Sequence, residues 1–80
     1  MMSTTQVTPA AAAKTLAALA WTEVDGRLSA DTRRVLMAER YAVAAALRLH
    51  GSERTARSAT ELTAAVTEAR RVAAMWGVTL

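Results

Sequence analysis

Residues 35–66 read VLMAERYAVAAALRLHGSERTARSATELTAAV, and this stretch decides the fold. Its first half carries a wide apolar arc at helical spacing: Val35, Leu36, Ala42, Val43, Ala46, Leu47 and Leu49. Its second half opens a narrower arc that continues as Leu62, Ala65, Val66, Ala69, Val72, Ala73 and Trp76. Between the two stands Gly51, a residue that takes the left-handed conformation after a helix end at little cost. Two amphipathic helices so closely joined bury their apolar faces by folding back on each other. A turn at Gly51 pairs Val43 with Leu62 and Leu36 with Ala69. Alanine rows at 38, 42, 46 and at 65, 69, 73 form four-residue ridges of small side chains, which let two helices approach closely.

Upstream, Ser29 caps the second helix, with Leu28 before it and Asp31 in its first turn, where a carboxylate suits the helix dipole. This helix is expected to end at Leu49 or His50. The third helix begins near Glu53, with Ser52 as cap, or near Ala59, where Ser58 and Glu61 have capping-box spacing. The earlier start is preferred. It is expected to end at Trp76, with Gly77 just beyond. Thr8-Pro9 starts a first helix over about residues 9–23, because Thr caps well and proline fits the first helical position. Leu16 and Leu19 lie on one face of it and Trp21 on another; Asp25-Gly26 marks a turn. Residues 1–8 are expected to be a disordered N-terminal segment and residues 9–80 a single helical domain. The fold class is all-α: three helices, an antiparallel helix 2–helix 3 hairpin with a shorter N-terminal helix packed on it.

Composition agrees. Twenty of the eighty residues are Ala, and there is no Phe, Ile or Cys. Alanine has the highest intrinsic helix propensity, since it loses no rotamer freedom. A single core in a chain this short rarely supplies more than roughly 3–5 kcal/mol. No disulfide can add to it, and one His cannot build a zinc site. The broad arc of the second helix suggests two contacts: the third helix, and either the first helix or the same helix of a second subunit. A homodimer or a permanent protein partner is therefore expected.

The apolar stretch at 9–21 has no Lys or Arg before it and contains Lys14, unlike a signal peptide. No uncharged run approaches the ~20 residues needed to span a bilayer. The cytoplasm is the expected location. Nine Arg, one Lys and the many Ala reflect GC-rich codons, which points to a bacterial or phage origin. Net charge is +3.

Two constellations could bind something. Arg33, Arg40 and Arg48 fall in one narrow arc of the second helix, flanked by Arg34 and Tyr41, over about 22 Å. Such a row could track phosphates or another anion, and Tyr41 could stack on a base. Its plainer reading is a solvated face. Asp31–Arg34, Glu53–Arg57, Arg57–Glu61 and Glu68–Arg71 all have helix-neighbour spacing, so much of the charge can be met locally. Residues 45–57, ending His-Gly-Ser-Glu-Arg-Thr-Ala-Arg, resemble the last helices of some bacterial DNA-binding domains. The departure is that residues 60–76 run on without the second turn such domains need.

The other constellation is apolar. Trp21 points away from Leu16 and Leu19, and Met37 and Tyr41 lie near the Arg stripe; these three are the candidate interface residues. Trp76 is expected in the core. His50 suits a helix C-terminus. Ala38-Glu39-Arg40 would suit an anion site between helices, as in small helical mutases, but the chain offers only one Lys beside it. No catalytic, cofactor-binding or metal-binding residue is assigned, and no cofactor is expected. The chain reads as a small helical protein-interaction module with a regulatory or accessory role, homodimeric. The alternative is a small nucleic-acid-binding regulator that uses the Arg stripe.

Overall fold

Helices α1 (Pro9–Val24), α2 (Ala30–Glu53) and α3 (Ala56–Met75) follow one another in a computed structural model whose described residues are 6–80. Local chemistry sets their N-termini. The Thr8 side chain accepts the Ala11 N–H at 3.1 Å, with Pro9 at the first helical position. Ser29 Oγ accepts the Thr32 N–H at 3.1 Å, and Asp31 sits in the first turn. Both caps are as the sequence predicts. Residues 1–5 of the N-terminal segment expected to be disordered lie outside the described residues. At its end, the Val7 N–H donates to Thr63 Oγ1 of α3 at 2.9 Å, and the Val7 side chain packs against the core.

α2 and α3 pack most closely, and α1 packs mainly on α2. The wide apolar arc of α2 therefore serves two helices of its own chain. The hairpin turn is not at Gly51. α2 continues three residues further, and Arg54 takes the left-handed conformation (φ 50°, ψ 45°), with its N–H donating to His50 O at 3.0 Å. Thr55 then caps α3: its Oγ1 accepts the Ser58 N–H at 3.0 Å, while Ser58 Oγ accepts the Thr55 N–H at 2.9 Å. His50 Nδ1 lies 2.7 Å from the same Ser58 hydroxyl. Ser52, expected as a cap, instead donates back to Leu49 O. A helical glycine and a left-handed arginine cost about 1 kcal/mol each. The reciprocal cap and the His50 bond offset that cost, so α3 begins between the two expected starts.

Moving the turn moves the register. His50 meets Ser58, and further along Glu39 lies within electrostatic reach of Glu68 and Arg71. Facing positions are thus displaced by about one helical turn from the expected pairs. Leu36 and Val43 of α2 and Leu62, Val66, Ala69 and Ala73 of α3 all belong to one fully buried core cluster.

The C-terminus of α3 closes as expected around Gly77, although the last helical residue is Met75. Gly77 has φ +77°; its N–H donates to Ala74 O (3.1 Å), and the Val78 N–H donates to Ala73 O (2.8 Å). This Schellman pair turns the chain back, so that Val78 and Leu80 pack on the core.

The core is small. Ala12, Leu19, Leu36, Val43, Leu62, Val66, Ala69 and Ala73 are fully buried among the described residues. The buried Thr15, Thr22 and Ser58 each donate their hydroxyl to a carbonyl three or four residues earlier, while Thr32 shares one bond with Ser29 Oγ. Hydroxyls met locally can be buried at low cost. Two expectations fail here. Ala38 and Ala42 are exposed, so the α2 alanine row is not the contact ridge; Leu36 and Val43 are. Trp76 is 43% exposed rather than core, because the helix ends one residue before it and α3 buries Ala69 and Ala73 instead. Among the described residues, no helix is long and apolar enough to cross a membrane.

Candidate interaction surface

The Arg stripe is broken by its neighbours. Arg40 pairs with Glu23 of α1, both side chains being a little over one-third exposed. Arg34 pairs with Asp31 at 3.3 Å. Arg33 is partly buried and lies near enough to Asp25 to help lower its pKa. Arg48 is exposed, and neither Arg33 nor Arg48 makes an ion pair among the described residues. A row of four cations on the helical wheel thus becomes two occupied and two open ones. The resemblance to a DNA-binding domain does not extend to the geometry. From His50–Ser58 to Glu39–Arg71, α2 and α3 run side by side rather than crossing steeply.

Glu39 and Arg40, adjacent in sequence, face different helices. Arg40 turns to α1, while Glu39 faces Glu68 and Arg71 on α3. Burial pushes the Glu39 carboxyl up, the Glu68 charge adds to the rise, and Arg71 opposes it. The paired anion site suggested by Ala38-Glu39-Arg40 is therefore split between two sides of α2. Elsewhere, Arg71 hydrogen-bonds Glu68 and lowers its pKa. Arg27 does the same to Asp25 through its side chain and its backbone N–H, at 3.0 Å each. His50 belongs to the hairpin turn.

The apolar candidates fare differently. Trp21 is 74% exposed and Tyr41 66%, while Met37 is partly buried. Sequence reasoning missed Val24, 69% exposed, and Met75, 70% exposed. A signal for Val24 was present: Ala10, Ala13, Ala17, Trp21 and Val24 follow a near-heptad spacing, and all are exposed on α1. A shallow groove beside Trp21 is lined by Ala18, Thr22, Leu28, Val78 and Thr79 together with the paired Asp25 and Arg27, so the folded-back tail forms one wall of it. The outer side of α1 is thus a strip of alanines ending in two large apolar side chains, with the Asp25–Arg27 ion pair beside that end. Lys14 flanks it, and Glu23, the other charge of α1, is engaged by Arg40.

No protein-family model, curated protein or solved structure matches this chain.

Proposed function

We propose that this chain is a small helical protein-interaction module with a regulatory or accessory role, working as a homodimer. The observation that carries the reading is Trp21, 74% exposed beside Val24, 69% exposed, at the end of a row of exposed alanines on α1. Tryptophan is the residue type most enriched among binding hot spots, and grouped apolar exposure marks interaction surfaces more often than scattered exposure does. The small core supports the same reading, since burying the strip against another chain adds apolar contact that the monomer lacks. The nucleic-acid alternative draws less support. Binding that falls steeply with salt involves about six to ten phosphate contacts, and the pairing of Arg40 and Arg34 leaves Arg33 and Arg48 on that face.

Two measurements test the reading. Sedimentation of the wild-type chain and of Trp21→Ala should give a dimer for the first and a folded monomer for the second. Titration with random DNA and RNA at about 150 mM salt should give no tight complex. Tight binding abolished by joint Ala replacement of Arg33, Arg40 and Arg48 would favour the nucleic-acid reading instead.

A further inference from the structure

The occupant of the α1 strip can be specified further, resting on the homodimer reading above. We infer that the strip binds the same strip of a second copy, antiparallel, about a two-fold axis at Ala17. In this arrangement Trp21 of each chain enters a hole formed by Ala10, Ala13, Lys14 and Ala17 of the other.

The residue order dictates this register. Trp21 and Ala13 stand four residues either side of Ala17; Val24 and Ala10 stand seven either side. A two-fold at Ala17 therefore sets each large exposed side chain level with a small one of the second copy. Isologous interfaces require such reciprocity, since each residue must meet the image of its own partner. Close packing requires large against small. A parallel pair would place Trp21 on Trp21 and Val24 on Val24, leaving the alanine half of the strip unfilled. A knob on one helix enters a hole of four residues at spacings of three, four and seven. Ala10, Ala13, Lys14 and Ala17 have that spacing, and three of the four are the smallest side chain that still favours a helix. Alanine at three of its four corners leaves space for the indole to enter.

Charge agrees with this placement. No carboxylate is left without a cation, since Glu23 is held by Arg40 on the α2 side of α1 and Asp25, beside Trp21, is held by Arg27. Lys14, exposed at the edge of the hole, brings its ammonium beside the indole that fills it, a favourable cation–π arrangement. The two Lys14 side chains stand about 9 Å apart along the helix axis, near the screening length at physiological salt. The area is modest. With about 150–250 Å² for a large aromatic, scaled by exposure, Trp21, Val24 and the three alanines offer on the order of 450 Å² per copy. Two copies thus bury roughly 900 Å², below the roughly 1,200 Å² of standard specific interfaces, so the dimer is weak and reversible.

The chain has no Cys, so single-cysteine variants report the register directly. Under mild oxidation, Ala17→Cys should cross-link to itself in high yield, because the two copies of this position meet on the axis. Ala10→Cys alone should not, as its copies lie about 21 Å apart along the helix. Ala10→Cys mixed with Val24→Cys should cross-link as a heterodimer. Ala17→Arg, at an exposed position, should keep the helical circular dichroism and weaken association about 30-fold or more, the scale of a hot-spot loss. Sedimentation of the wild-type chain from about 1 µM to 1 mM supplies the frame. A dimer whose Ala17→Cys variant fails to cross-link, or whose Ala10→Cys variant links to itself, overturns this arrangement while leaving the homodimer reading intact. A monomer throughout overturns both.

Discussion

Glu23 of α1 and Arg40 of α2 form the one ion pair that joins two helices among the described residues. It orients α2 so that the best-placed cation of its basic stripe is spent within the fold. A double-mutant cycle with Glu23→Gln and Arg40→Met should give a coupling of about 0.5–1 kcal/mol, since both side chains remain partly in water. Each single variant should unfold at lower urea than wild type. A coupling of zero would mean that packing alone, without this pair, holds α1 against α2.

The two glycines at the ends of the hairpin helices should respond oppositely. Gly51 is helical, and a Cβ there meets nothing within 4 Å. Gly51→Ala should stabilise by about 0.5–1 kcal/mol through backbone entropy alone. Gly77 also has open space around it, but at φ +77° an L side chain is strained. Gly77→Ala should cost about 1–2 kcal/mol. Thermal or urea unfolding checks both, and a destabilising Gly51→Ala would return the turn to Gly51.

Ser58 holds the hairpin turn from three directions: it caps Thr55, bonds His50 and donates to Thr55 O. It is 1% exposed. Ser58→Ala should cost about 1–3 kcal/mol, because the His50 ring nitrogen and the Thr55 N–H lose their partner together. Ser52→Ala and Ser58→Ala would cost alike only if Ser52 were the cap. Ser52 lies on the surface, so its replacement should stay within about 0.5 kcal/mol.

Acid should act in two opposite phases. Glu39 has its folded pKa raised, so its ionisation opposes folding; as pH falls through that raised value, protonation adds stability. Asp25 and Glu68 have lowered folded pKa values, so their contribution is full above about pH 4 and is lost as pH falls through the lowered values. Urea midpoints should therefore rise slightly as pH falls through the raised Glu39 value, before falling below about pH 4. Glu39→Gln should remove the rise and raise neutral-pH stability by at most about 1 kcal/mol, the scale of partly exposed charges. A Glu39→Gln chain less stable than wild type at pH 7 would contradict this assignment.

Several features of this protein were settled by the sequence alone. Thr8-Pro9 and Ser29 place the first two helix starts because a cap is a bond between near neighbours, and Gly77 closes α3 for the same reason. Trp21 points outward because a helix period of 3.6 residues sets it opposite Leu19, which is buried. Nothing local distinguishes Gly51 from a turn. Its place inside α2 follows from a bond between His50 and Ser58 that exists only once the hairpin is closed. The same holds for the basic stripe: Arg33, Arg40 and Arg48 share an arc on any helical wheel, but which of them meets a carboxylate depends on α1 lying alongside. Trp76 has a core position by periodicity and lost it because the helix stopped at Met75. Caps, periods and outward faces are short-range and legible in residue order. Turn position, register and the fate of each charge are decided between helices, where contacts distant in sequence compete and the packed state selects among them.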